Sequence, residues 1–407
     1  MMLLRRATSI FVVLILATAG SAAAQNYFQN PRAFVRSPQV LATGDATVAM
    51  PSPETVFFYN PAHLSETTSA TPRITIVGVQ GAVSTSVFDQ VSFFQDKVEP
   101  AIDRGFDDLS SEELDELYDK AFALGRQRAF ASGDVILPSI QFASGPISIG
   151  AGFFAHTSAN YRFEDAGLGV PQLDFVGRAD AIGVVTGALD GTAIGFRGFS
   201  VGMTAKYTRR YISIKDRPLD AIGEDEPLHV FSGDAVTIDY GMLYRAGNLS
   251  LGLSVYDISS SDFDFAFDRT LFADAPAAPE INTRVQAELE AVKALNEIRP
   301  SYRIGAAYTA PRMLGVFGET TVMLDYLGYS DPVVNQSGLA RLHLGAQSNI
   351  AGPLTVRGGL SQGYPSGGIG LHFGPLHIDY AFFGYEEGRT PGQTPAWNHL
   401  AQLRLAI

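Results

Sequence analysis

From residue 72 to the end of the chain, apolar and polar side chains alternate with a period of two, in runs stopped by Gly-Pro or Gly-Asn pairs. Ile147-Ser-Ile-Gly-Ala-Gly-Phe153, Leu249-Ser-Leu-Gly-Leu-Ser-Val255 and Leu376-His-Ile-Asp-Tyr-Ala-Phe382 are the clearest. Successive side chains of a strand point to opposite faces, so each run is a strand with one apolar face and one small or polar face. The pattern predicts fourteen strands, at 72–90, 134–144, 147–164, 173–189, 196–214, 230–245, 249–266, 301–310, 318–329, 338–349, 354–362, 366–373, 376–385 and 397–407. Within 173–189 the alternation fails between Val176 and Val185, which raises the expectation of a kink or wall opening there.

A soluble sandwich shows the same alternation, so the connections decide. After even strands they are short, as at Gly145-Pro146, Ala246-Gly247-Asn248, Ala351-Gly352-Pro353 and Gly374-Pro375. After odd strands they are long, as at 91–133, 215–229 and 267–300. Short turns at one end, long loops at the other and an even strand number mark an outer-membrane barrel. The predicted class is all-β, a 14-stranded antiparallel transmembrane β-barrel with helical extracellular loops. Two long loops carry helical periodicity. In 110–128, Ser110 and Glu113 form a capping box, and Leu114, Leu117, Tyr118, Ala121 and Leu124 share one face. In 281–298, Ile281, Val285, Leu289, Val292 and Leu295 do the same before Pro300. Each apolar face is expected to pack on something.

Composition agrees. Of 407 residues 17% are charged, against about 25% in a soluble domain, while Gly (41), Phe (27) and Tyr (16) are abundant and Trp occurs once. The absence of Cys excludes disulfides, thiol catalysis, cysteine-bound metals and a thiol-linked lipid anchor. Arg5 and Arg6, the short apolar run Ile10–Ala17 and Ala22-Ala23-Ala24 read as a signal peptide over 1–24, with a mature start at Gln25. No later segment has the 18 consecutive apolar residues of a transmembrane helix. Without the signal, 27 basic face 42 acidic residues, a net charge of −15, so nucleic acid is not an expected partner. Ten acids lie in 96–119 and five in 216–226. They make a solvated outer face or, less simply, a bridge for divalent cations or a basic partner.

Residues 25–71 lack strand alternation and precede the barrel (72–407), so they form a periplasmic or plugging segment. The stretch Ser37-Pro-Gln-Val-Leu-Ala-Thr-Gly-Asp-Ala-Thr-Val-Ala49, followed by Thr55-Val-Phe-Phe-Tyr-Asn-Pro-Ala-His-Leu64, resembles the N-terminal signature of the FadL/TodX superfamily of outer-membrane proteins. The resemblance implies a monomeric barrel with an N-terminal hatch inside its periplasmic end and, in the transporters, a path for hydrophobic solutes through the wall. Asn60, Pro61 and Ala62 match the hatch motif, with His63 where Gly is common. The PorV and PorQ branch, scaffolds or shuttles of type IX secretion, shares the motif but more often has Trp at the position of Tyr59. The tail from Gly367 to Phe382 resembles its C-terminal hairpin equally well. Independently of family, Pro61 fixes φ, Asn60 can bond its own backbone, and Phe57, Phe58 and Tyr59 can anchor the turn. That turn either seats the plug or touches solute.

No His-Glu-x-x-His, Gly-x-Ser-x-Gly or phosphate loop occurs, and no enzyme is expected. A two-residue hairpin at Gly374-Pro375 would set His372 opposite His377 on the face that carries Asp379. This is a hydrated rim pair or a metal site, and no metal or other cofactor is assigned. Alternation points Lys206, Asp239, Tyr256, Arg303, Asp325, Arg341, His343, Arg357, Gln402 and Arg404 into the lumen. Charges of both signs there suggest a cross-barrel network and a narrow or plugged interior. The leading expectation is passive uptake of hydrophobic small molecules across the outer membrane of a Gram-negative-type bacterium, beside outer-membrane lipid. The alternative is a PorV/PorQ-like scaffold that binds secreted protein cargo.

Overall fold

The computed structural model describes residues 32, 34–50, 56–67, 71–125, 128–165, 169–219, 228–259, 262–271, 283–310, 317–329, 337–350, 352–386 and 391–407. Residues 1–24, expected to be a signal peptide, lie outside these residues, as do Ile281 and most of the 216–226 acidic loop. The wall consists of β1 Arg73–Ser84, β2 Ala129–Ser144, β3 Ile147–Asp165, β4 Pro171–Asp190, β5 Phe199–Pro218, β6 Leu228–Ala246 and β7 Leu249–Tyr256, then β9 Ser301–Ala310, β10 Phe317–Tyr329, β11 Leu342–Ile350, β12 Leu354–Ser361, β13 Tyr364–Phe373, β14 Leu376–Glu386 and β15 Pro395–Ala406. Neighbours pair antiparallel around a closed ring, with β1 joined to β15. These are the fourteen strands of the barrel. The remaining strand, β8 Ala266–Leu271, pairs with the outer end of β6.

Three of the boundaries that differ from the alternation do so for a clear local reason. The run 249–266 splits because Asp257 turns at φ 52°, which Asp tolerates, and Phe263 and Phe265 are buried in a loop core. The run 72–90 stops at Ser84 because Val87–Phe93 is helical, with Val87 and Phe93 buried. The run 338–349 begins at Leu342, after a one-turn helix Gly338–Arg341 capped by Ser337, which takes Arg341 out of the strand pattern. The expected kink in 173–189 is absent. β4 pairs residue for residue with β3 and β5 along its length. Its alternation fails because Ile182 and Val184 are buried inward against an apolar cluster while Val185 faces out, so both faces of β4 are apolar.

Outward positions form the lipid belt. Val79, Phe153, Val185, Val236, Ile304 and Val322 are 48–64% exposed, whereas their strand neighbours Gln80, Thr186, Thr237, Arg303 and Thr321 are buried. So much exposed apolar surface suits lipid, not water. Exposed Tyr244 and Tyr308 near the short turns, and Tyr207 and Tyr302 further up, flank this belt as a membrane barrel's aromatic girdles do. No helix of the described residues is long and apolar enough to cross a membrane.

The wall is uneven. β2–β6 run 16–20 residues and β11–β13 only 8–10, so the tall side rises beyond the roughly 9–11 residues a membrane strand needs. The long loops fold against that rise. Inside the ring lies the N-terminal segment, with α1 Pro38–Ala42, a one-turn helix Pro61–His63 and α2 Leu64–Thr67. It sits directly on the wall at inward glycines. A Cβ on Gly252 would collide with the Val48 carbonyl, and one on Gly241 with the Asn60 side chain. Gly252→Ala is therefore expected to unseat the segment without altering the lipid belt, whereas Gly187→Ala, where a Cβ meets nothing within 4 Å, should be silent. Limited proteolysis in detergent checks this: residues 32–67 should become cleavable in the first variant alone.

Candidate functional site: the filled lumen

Two apolar cores occupy the long-loop end. The first joins α3 Val87–Phe93, α4 Glu99–Arg104 and α5 Ser111–Leu124 to Phe163, Leu173 and Phe175 of the wall. The predicted capping box is present: Ser110 Oγ accepts from the Glu113 amide, and Glu113 Oε2 accepts from the Ser110 amide at 2.9 Å. The Ser110 amide, with Arg104, holds the Glu113 carboxyl down to about 2. Leu117 is buried; Leu114, Tyr118 and Leu124 are half-buried. The second core joins α6 Thr283–Leu295 to Ile212, Ile214 and Phe231, with Val285 and Val292 buried and Leu289 packed against them. The helix faces thus pack inward, as amphipathicity requires. Among the described residues, no three acids or histidines of the acidic loop gather as a metal site.

Below the cores, ionic side chains seal the throat. Arg210 makes a two-pronged contact with Asp180 (2.8 Å to each oxygen) and donates to Asn296 beyond α6. Arg178 binds the same carboxylate and donates to the Arg32 carbonyl at 3.0 Å. A void of about 20 Å³ remains between Arg178, Asn160, Leu295 and Asn296, room for one water.

Next comes an aromatic cluster. Phe34, Phe58, Tyr59 and Phe154 meet edge to face, with centroids 4.8–5.9 Å apart, and Phe57 adds a further contact to Phe154. The Asn-Pro-Ala turn lies at its base. Asn60 Oδ1 accepts from the Ala62 amide (3.0 Å), and Nδ2 donates to the Val48 and Met242 carbonyls (2.7 and 3.1 Å), so one side chain caps the Pro61–His63 turn and ties it to both segment and wall. His63 is fully buried, its Nε2 donating to the Val48 carbonyl at 3.0 Å. Burial holds its pKa down to about 3.

The lumen charges converge on this segment rather than across an open bore. Arg303 binds Asp45 at 2.7 Å and lies 3.6 Å from Asp325, whose Oδ2 accepts the Thr47 and Val48 amides. Burial pushes Asp45 up, but the charge and hydrogen bond of Arg303, with His343 and Arg36, together outweigh it and the carboxyl sits below its ordinary value. Lys206 lies 2.9 Å from both Asp239 and Asp257, and Arg32 approaches the same two acids. Tyr256 donates to the Tyr59 carbonyl at 2.8 Å, and His343 Nδ1 lies 3.0 Å from the Gly44 carbonyl. At the short-turn end His372 pairs with His377 in the predicted register, rings 4.5 Å apart. Arg357 holds Asp379 at 2.7 Å, and Arg404 donates to His377.

Alternation therefore placed Arg303, Arg357, Asp379 and Arg404 inward, while Arg341 lies in the one-turn helix before β11 rather than in a strand. Arg32, Asp45 and Asp257 escaped it because none lies in a regular strand. Asp180 and Arg210 do lie in strands, and their period-two placement beside Arg178 was a readable signal.

A closed ring of this size, belted by apolar side chains and filled by an N-terminal segment, has the FadL/TodX type of outer-membrane barrel fold. Two solved structures show the likeness. The toluene transporter TbuX of Ralstonia pickettii is 11% identical, with a TM-score of 0.51 over 91% of this chain and 97% of that one. A mutant of the TodX monoaromatic hydrocarbon channel is 9% identical, with a TM-score of 0.50 over 91% and 98%. No family model matches the chain, and no curated protein matches it in sequence.

Arg303→Ala leaves Asp45 and Asp325 buried without their cation, and is expected to cost about 3–5 kcal/mol, read as a lowered denaturation midpoint in detergent. His63 binds its proton far more weakly folded than unfolded. Its contribution to stability is full above about pH 6.5 and is lost at up to about 1.4 kcal/mol per pH unit as pH falls toward 3. His63→Gln should flatten the stability-pH curve between those limits; an unchanged slope would remove His63 as the cause.

Proposed function

We propose that the chain is a passive outer-membrane channel for hydrophobic small molecules. The observation that carries this is the order of layers along the axis: apolar loop cores, an ionic throat, an aromatic cluster and the noncovalently seated N-terminal segment. Solute enters the loop cores from the extracellular side by partition, since burying apolar surface is favourable at about 25 cal/mol per Å². It then waits on a shift of the segment, which acts as the hatch, with Phe57, Phe58 and Tyr59 at its solute face and Asn60-Pro61-Ala62 as its stiff hinge. Passage needs no energy source, and no catalytic step is assigned. The likeness to channels titled as toluene and monoaromatic hydrocarbon transporters supports the reading at the level of fold. A secretion scaffold would need the helix faces exposed to grip cargo, and Leu117, Val285 and Val292 are buried instead.

Radiolabelled toluene taken up by cells producing the protein tests the proposal. Uptake should exceed that of cells with an empty vector. The chain has no Cys, so Ala42→Cys with Ser366→Cys gives a single reversible staple; the Ser366 hydroxyl donates to the Ala42 carbonyl at 3.2 Å. Oxidation should abolish the excess uptake and reduction restore it. Equal uptake in the oxidised form would sink the hatch role, and no excess at all the channel reading.

A further inference from the structure

Beneath the N-terminal segment, at the short-turn end, lies a cavity of about 710 Å³. Gln39 of α1 forms part of its roof, and Arg357, Arg404, Arg73, His372 and His377 line it. Two of the guanidinium groups are built into the wall: Arg357 is 8% and Arg404 5% exposed. Asp379, itself buried, takes one Arg357 nitrogen (Nη1, 2.7 Å), while the buried Arg357 Nε finds no hydrogen-bond partner among the described residues. Ile407 closes the rim, its carbonyl-end oxygen accepting from the Ile74 amide at 2.7 Å. Among the described residues that line the cavity, three are arginines and none is an Asp or Glu, in a chain whose net charge is −13. The positive excess is local, and at Arg357 and Arg404 it is sheltered by the wall, where charges act more strongly than at an exposed surface.

We propose that this chamber is a binding site for small organic anions, the ligand's carboxylate seated between Arg357 and Arg404 with Arg73 at the mouth. Guanidinium groups pair with carboxylates through two parallel hydrogen bonds, and the volume lies in the range of ordinary ligand pockets. The site goes beyond the uptake reading and stands without it, because binding is measured on the isolated barrel.

The test is equilibrium dialysis of the detergent-purified protein against radiolabelled benzoate, with inorganic phosphate and toluene as separate probes. Benzoate should bind at one site, more weakly as salt is raised. Arg73→Gln with Arg404→Gln should weaken it at least about tenfold while leaving toluene binding unchanged; this pair spares the Arg357–Asp379 contact, and heat-modifiable gel migration confirms the folded barrel. Phosphate binding as tightly as benzoate would make the chamber a free-anion site and overturn the proposal. So would benzoate binding that ignores both substitutions, an equal loss of toluene, or no benzoate binding at millimolar concentration. Failure of toluene uptake in cells would leave the chamber standing.

Discussion

The structure depends on one constraint: charged side chains enclosed in a membrane barrel must find partners where water cannot serve. Arg303 meets it by joining Asp45 of the N-terminal segment to Asp325 of the wall, and Asp325 in turn holds the Thr47 and Val48 amides. Removing one member strands the others at a cost of several kcal/mol. The wall and the segment are therefore each incomplete alone. Lys206 and Arg32 repeat the logic around Asp239 and Asp257, and Arg178, with Arg210, around Asp180.

The backbone obeys a matching demand. A segment inside a barrel must satisfy its own N–H and C=O groups, and it does so through Asn60, His63, Tyr256 and His343. Wall glycines at the contact let the two backbones come close enough for these bonds to form. The joint is consequently polar and directional, whereas the loop cores above it are apolar and nondirectional. In the proposed uptake, solute that prefers the cores gains little from the joint, which makes the segment the deciding step.

Much of the wall was legible in the sequence because period two and sorted loop lengths are consequences of a strand between lipid and lumen. The His372–His377 register followed from a two-residue turn alone. What failed did so where packing overrode the period. β4 lost its alternation because both of its faces are covered by apolar groups, and the run through Asp257 kept a strand pattern while Phe263 and Phe265 turned into a loop core. The Asn-Pro-Ala turn was readable from residue chemistry, since Asn capping before Pro is local. Its partners were not: Val48 and Met242 stand 12 and 182 residues away. Charged lumen residues could be assigned inward, but nothing in a period says that they would meet a segment rather than one another.

The central claim is that the N-terminal segment, not the wall, is the moving part. Hydrogen exchange of the detergent-purified protein with and without toluene tests it most directly, read at the Thr47 and Val48 amides that Asp325 holds. Toluene should speed their exchange while the paired amides of β3, β4 and β5 stay protected. Faster exchange in those strands with Thr47 and Val48 unchanged would contradict the account and place the opening in the wall.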